Sequence, residues 1–242
     1  MSADLVLVHL YPDLLRTYGD RGNILTLQRR AEWRGFSVDV VGVTRGEPLP
    51  PSPGLVLMGG GTDRVQEVVA PDIKERRGQL QEAVAGGTVL LGVCGGYQFL
   101  GRTYVAADGT EIDGLGFLDI ATRAGTDRII GRVRARASLW GEEFDLVGFE
   151  NHGGRTELGP GCIPLAKVTM GGGNNGKDGT EGAVQGTMLG TYIHGPLLPP
   201  NPKLADVLLA RALAPVTGGA PLPPLDDVLE EAAHRAALSL KR

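Results

Sequence analysis

Cysteine is scarce in this chain: of 242 residues, only Cys94 and Cys162 are cysteines. Two thiols argue against a disulfide framework and against a cysteine-based zinc site. Histidine is nearly as sparse, with His9, His152, His194 and His234 the only four, so imidazole chemistry has few candidates. No block of Lys or Arg occurs, and the formal net charge of −4 gives nucleic acid no electrostatic footprint. No apolar run approaches the ~20 residues of a membrane-crossing helix. The opening Met1-Ser2-Ala3-Asp4 lacks a basic stretch followed by an apolar signal core, which gives a cytoplasmic expectation. What is present is 42% hydrophobic and 21% charged, the balance of a soluble globule with an ample core.

The first half of the chain alternates apolar β-rich runs with helical patterns. Residues 5–10, 36–43, 54–58 and 89–93 read as strands, and 22–33 and 72–85 as helices, the second opened by Pro71. Continuous apolar strands separated by helices predict a parallel sheet covered on both faces, with ligands bound beyond the carboxyl ends of the strands. The middle differs in texture. Residues 128–137, 144–149 and 165–170 are short strand-like pieces, predicting an antiparallel extension of the parallel core. Residues 171–179 form a Gly/Asn-rich loop expected to be mobile. Residues 188–194 return as a strand ending at His194, followed by a helix over 203–213, a Pro/Gly connector and a terminal helix over 226–240.

The segment Gly92-Val93-Cys94-Gly95-Gly96-Tyr97-Gln98 carries the most chemistry. It is a buried strand ending at a cysteine, then two glycines and a helix start. A nucleophile on such a sharp turn projects from the sheet into a cleft. The helix N-terminus is expected to lower the thiol pKa towards the reactive thiolate. Cys162 has no such frame and is expected to be structural. A cysteine nucleophile needs an imidazole partner. His9 lies inside a strand and reads as packed, and His234 sits in the terminal helix and reads as a surface residue. His194 ends a strand at the same sheet edge as Cys94. His152 lies in a Gly-rich turn, and the pattern leaves it either substrate-contacting or structural. The turn Met58-Gly59-Gly60-Gly61-Thr62-Asp63 lacks the Lys-Ser/Thr of a phosphate loop. Beside a cysteine nucleophile it reads as an oxyanion hole, built from backbone N–H groups that consecutive glycines let a substrate approach.

These residues together resemble a class I (triad-type) glutamine amidotransferase of the cobyric-acid-synthase-like branch. More narrowly they are similar to the glutaminase subunits of lipid II isoglutaminyl synthases. The likeness is carried by the cysteine elbow, by the string from Tyr11-Pro12-Asp13 to Asp20-Arg21-Gly22-Asn23-Ile24, and by Met58-Gly59-Gly60-Gly61-Thr62-Asp63. Gly148-Phe149-Glu150-Asn151-His152-Gly153-Gly154-Arg155-Thr156 and Thr191-Tyr192-Ile193-His194-Gly195-Pro196 complete it. It covers most of residues 4–212. The resemblance implies an α/β, flavodoxin-like, mostly parallel doubly wound sheet with an antiparallel extension. It implies a glutamine amidotransferase domain over 1–214 and a C-terminal helical appendage over 215–242 that contacts a partner.

The resemblance also implies roles. Cys94 would attack the side-chain amide of L-glutamine, and His194 would protonate the departing ammonia. Gly60 and Gly95 would hold the oxyanion through backbone N–H groups, and Arg128 would hold the glutamine α-carboxylate. No metal and no cofactor are implied on this chain. ATP and Mg would belong to a Mur-ligase-like partner in a heterodimer, which would amidate the D-glutamate α-carboxyl of lipid II. One departure stands out: where many triad enzymes carry Glu two residues after the histidine, this chain has Pro196. Glu150, a backbone carbonyl or a partner residue are the candidates to orient His194. Two other readings remain open here, a glutaminase feeding a different amidase such as a corrinoid amidase, and a non-catalytic scaffold of a ligase.

Overall fold

The structure, a computed structural model, describes residues 3–17 and 19–240; Tyr18 of the first quoted string lies outside them. The chain order begins β1 (Leu5–Leu10), α1 (Arg21–Glu32), β2 (Val38–Val43), β3 (Leu55–Met58), α2 (Asp63–Glu75), α3 (Arg77–Ala85), β4 (Val89–Val93) and α4 (Gly95–Leu100). It continues with β5 (Thr103–Val105), β6 (Glu111–Asp113), β7 (Ile120–Leu139), β8 (Glu142–Leu158), β9 (Ala166–Met170) and β10 (Thr180–Glu181). Last come β11 (Ala183–Gln185), β12 (Met188–Thr191), α5 (Pro202–Ala212), α6 (Ala214–Thr217) and α7 (Val228–Ser239).

One six-stranded sheet runs β11-β12-β4-β3-β1-β2, and every pairing but β11 with β12 is parallel. Alternation along its strands feeds two cores. Leu7, Leu57 and Leu91 face Ile24 and Leu27 of α1 and Leu208 of α5. Val8, Val56 and Leu90 face Val69 and Ile73 of α2 and Phe99 of α4. Aliphatic side chains on both faces of each strand are why these strands read as unbroken apolar runs. The doubly wound parallel sheet expected from the sequence is present.

The antiparallel extension is a second sheet. Its order is β10-β9-β7-β5-β6, with β8 also paired to β7. The two short strands expected at 128–137 and 144–149 are parts of one long hairpin, β7 and β8, whose register breaks between Ala124 and Ile129. Polar pairs such as Thr122 opposite Thr156 and Arg123 opposite Arg155 hide the alternation before that bulge. The bulge puts Arg128 beside the parallel sheet's carboxyl end, facing the cysteine elbow across a shared cavity.

Two expectations need correction. The helix expected at 72–85 with Pro71 at its start is instead α2, with Pro71 inside it, followed by a separate α3. Proline's missing N–H leaves only the Glu67 carbonyl unpaired, and both residues are exposed, so water can take that acceptor. The chain re-aims at Arg76, a buried guanidinium pinned to Asp72 at 2.7 Å and to the carbonyls of Glu47 and Thr44. The Gly-rich stretch 171–179 is also tied down. Asn174 is fully buried and bonds Thr180 and Gly182, while Gly172 and Gly173 donate to the Glu150 carboxylate. The C-terminal segment is laced to the core by Arg30, which pairs with Asp206 and Asp227 at 2.7 and 2.6 Å. Among the described residues, no helix is long and apolar enough to cross a membrane.

Candidate active site

The site grows from the end of β4. Cys94 sits there at φ 53°, ψ −106°, a left-handed conformation that a non-glycine residue adopts only where the surroundings enforce it. The enforcement is close packing. A Cβ on Gly96 would come within 2.3 Å of the Met58 carbonyl, so β3 and the elbow touch backbone to backbone. The Gly96 N–H donates to the Gly59 carbonyl at 3.0 Å, which joins the glycine turn after β3 to the cysteine elbow after β4.

A cavity of ≈ 470 Å³ opens beside Cys94, between the glycine turn, Tyr104 and the β7 bulge. Both charge signs line it, with Asp63 and Asp127 against Arg64 and Arg128. Arg128 directs Nε to the Asn151 side chain at 2.8 Å and Nη2 to the Asn151 carbonyl at 2.7 Å. A guanidinium in this place suits a small zwitterionic substrate whose carboxylate it can approach in fork geometry.

His194 lies just beyond β12, the parallel neighbour of β4, in which Thr191 stands opposite Val93. β12 stops at Thr191 rather than running on to the histidine. The buried Glu181 carboxylate takes the Thr191 hydroxyl at 2.5 Å and the Tyr192 N–H at 2.8 Å, so the next peptides leave the ladder. His194 then bridges to Phe149 of β8 through both backbone groups, at 2.9 and 3.1 Å. Its Nε2 accepts the Asn151 N–H at 3.1 Å, which leaves the proton of the neutral ring on Nδ1. Phe149 meets the ring edge-on at 5.9 Å. Cys94 and His194 therefore leave neighbouring parallel strands at the same end of the sheet.

The electrostatics differ from the expectation of an activated thiol. Burial pushes the Cys94 thiol up to about 12, and the charge of Asp20 acts in the same direction; the Gly95 N–H opposes them. Burial holds His194 down to about 4. At neutral pH this pair is a thiol and a neutral imidazole. Helix α4 has only six residues, and its N-terminal field does not outweigh the loss of water around the sulfur.

The other named residues fall as follows. Glu150 is buried, and its carboxylate oxygens are aimed at the Gly172 and Gly173 N–H groups at 2.6 and 2.9 Å, so it anchors the glycine loop. The Gly60 N–H donates to Asp20 Oδ2 at 2.8 Å. His152 lines the cavity, stacks on Tyr192 at 3.7 Å, and bonds the Gly154 carbonyl through Nδ1. His9 is buried in β1, and His234 bonds the Pro200 carbonyl at 2.7 Å. Cys162 lies apart, with its sulfur 3.0 Å from the Asp119 N–H and 3.2 Å from Gln185 Oε1.

Sequence reasoning missed Asp20, Gln66, Asn151 and Glu181. Gln66 and Gln98 form a buried amide pair under the elbow at 2.8 Å. Gln98, four residues past the cysteine on the first helical turn, was the one partner whose spacing could have suggested this.

Residues 6–202 match the model of the CobB/CobQ-like glutamine amidotransferase domain. The chain belongs to that family. It is 41% identical over 210 residues to the Staphylococcus aureus (strain N315) lipid II isoglutaminyl synthase subunit GatD, covering 86% of this chain and 84% of that protein. The Streptococcus pneumoniae (strain ATCC BAA-255 / R6) subunit of the same name is 37% identical over 232 residues, covering 94% and 88%. Among solved structures, that of PurLQS from Thermotoga maritima shares the fold at a TM-score of 0.57 and 16% identity, covering 88% of this chain and 96% of that one. The family's glutamine amidotransferase character agrees with a strained cysteine at the mouth of a cavity lined by charges of both signs.

Proposed function

We propose that this chain is the glutamine-hydrolysing subunit of a lipid II isoglutaminyl synthase. Glutamine enters the ≈ 470 Å³ cavity with its α-carboxylate on Arg128 and its side-chain amide towards Cys94. The Cys94 sulfur attacks the amide carbonyl, and its proton passes to His194 Nε2, which gives up the Asn151 N–H to take it. The carbonyl oxygen becomes an oxyanion held by backbone N–H groups of Gly60 and Gly95. Collapse breaks the C–N bond, His194 returns the proton, and ammonia leaves. Water then hydrolyses the γ-glutamyl thioester to glutamate and restores the thiol.

The observation that carries this reading is the strained Cys94 elbow at the carboxyl end of β4, with His194 leaving the adjacent strand on the same edge. The acceptor and partner rest on the two GatD relatives, whose names include glutamine hydrolysis and lipid II. A Mur-ligase-like synthetase, supplied with ATP and Mg, would activate the D-glutamate α-carboxyl and receive the ammonia. The residues 215–242 would form the appendage nearest that partner. Because Pro196 stands where many triad enzymes carry the orienting Glu, the partner would also complete the orientation of His194. Mixing the purified chain with a Mur-ligase-like synthetase, lipid II, ATP and glutamine tests this. The reading expects one amide per stem peptide, with amidation lost in Cys94→Ala and restored by free ammonia. Amidation from glutamine that survives Cys94→Ala would overturn it.

A further inference from the structure

Asp20 is an unusual neighbour for an oxyanion hole. It precedes α1, where an aspartate would ordinarily cap the first turn, yet its side chain makes no cap hydrogen bond. The carboxylate turns inward, is almost fully buried, and accepts the Gly60 N–H at 2.8 Å through Oδ2. Its other oxygen has a weaker contact, the Asn23 side-chain amide at 3.4 Å. Gly60 is packed against the nucleophile: a Cβ built on it would lie 3.8 Å from Cys94 Sγ and 3.8 Å from Asp20 Oδ2. The Gly59 carbonyl, the other half of the peptide that carries this N–H, accepts the Gly96 N–H at 3.0 Å, and the Gly60 carbonyl in the next peptide accepts the Thr17 N–H at 3.1 Å, so the N–H is held in place from both sides.

An N–H already bonded to a carboxylate does not stabilise a developing oxyanion. A carboxylate beside the sulfur also disfavours the thiolate. We infer that Asp20 is an internal lock on the glutaminase site: its carboxylate occupies the Gly60 N–H that the tetrahedral intermediate requires, and the site turns over only when that bond is broken. This rests on the glutaminase reading above and adds to it a named residue that holds the chain's own activity down. The released carboxylate has a favourable place to go, because the uncapped first turn of α1 begins at the next residue and carries the positive end of the helix dipole.

The test compares wild type, Asp20→Ala and Asp20→Asn in the full chain, reading kcat and KM for glutamine hydrolysis and the rate of Cys94 alkylation by iodoacetamide. Ala removes both acceptor and charge, whereas Asn removes the charge and keeps an oxygen that can sit on Gly60. The lock predicts that Ala raises kcat roughly 10- to 100-fold with KM little changed, no more than the ~10²–10³-fold that one oxyanion donor contributes. Asn should raise kcat far less than Ala, while alkylation accelerates in both. Unchanged or lower turnover in a folded Asp20→Ala overturns the lock. If Ala does not fold, Asp20→Ser, whose hydroxyl is too short to reach Gly60, takes its place. Failure of both to fold would make Asp20 a structural buttress and overturn the lock equally. Ammonia release by wild type without a gain in the variants defeats the lock alone. No ammonia from any variant or wild type, with or without a synthetase, defeats the glutaminase reading itself.

Discussion

The amide N–H of Cys94 donates to the Thr191 carbonyl at 2.9 Å. That bond extends the β4–β12 ladder one step past β4, so Cys94 and the segment leading to His194 are fixed to each other by backbone. Residues distant in sequence thereby share one sheet edge, and side-chain substitutions there should alter chemistry more than folding.

The two thiols should separate cleanly. Cys94→Ala should abolish glutamine-dependent ammonia release with little change in melting temperature. Cys162→Ser should leave turnover essentially unchanged, because its sulfur bonds Asp119 and Gln185, which do not line the cavity. A Cys162 variant as inactive as the Cys94 variant would show that the wrong thiol has been assigned.

His194→Ala should lower turnover by about 10²–10⁴-fold, the usual contribution of one positioned acid–base group. The pH dependence of the chain alone follows from the raised thiol. The nucleophile is the deprotonated form, so Cys94 alkylation should rise tenfold per pH unit through the neutral and alkaline range. It should level off only towards about 12, instead of near 9.0, the ordinary value of a free thiol. Saturation by pH 8, measured by stopped alkylation and mass spectrometry, would contradict the buried-thiol account.

Arg128→Ala should raise the KM for glutamine while changing kcat much less, the signature of lost ground-state binding. Arg128→Lys should recover only part of the loss, because an ammonium cannot reproduce a planar fork. Steady-state kinetics on the three proteins decides this.

Stability should depend on Glu181. Burial raises its carboxyl from 4.5 to about 7. A carboxyl raised by folding contributes stability that is complete below its unfolded pKa and is lost as pH rises through the folded one. The window is therefore pH ~4.5 to ~7, and the loss is on the order of 3 kcal/mol. Glu181→Gln keeps the acceptor for Thr191 and Tyr192 but cannot ionise. Urea unfolding of the variant should show a shallower decline between pH ~4.5 and ~7 than wild type; an equally steep decline would contradict it.

Much of this was legible in the sequence for a simple reason. Strands such as 89–93 are buried on both faces and therefore apolar at every position, and the glycines of the Gly92-Val93-Cys94-Gly95-Gly96 frame announce a close backbone approach around the cysteine. The β7–β8 hairpin was not legible in full, because Thr122, Arg123, Arg155 and Thr156 interrupt the alternation and the bulge at Arg128 shifts its phase. The electrostatics were missed because they depend on burial. A short helix suggests an activated thiol, but only the folded chain reveals how completely the sulfur is desolvated. Asp20 was hidden for a third reason: its partner, Gly60, lies 40 residues away, and its own position advertises a helix cap.

The central claim is that Cys94 is the nucleophile for glutamine and His194 its proton carrier. The most direct measurement is peptide mapping after treatment with a glutamine analogue bearing an electrophile at the side-chain carbonyl position. The account predicts a single adduct on Cys94, blocked by excess glutamine and formed far more slowly in His194→Ala. An adduct on Cys162, or labelling of Cys94 that neither glutamine nor the loss of His194 affects, would contradict it.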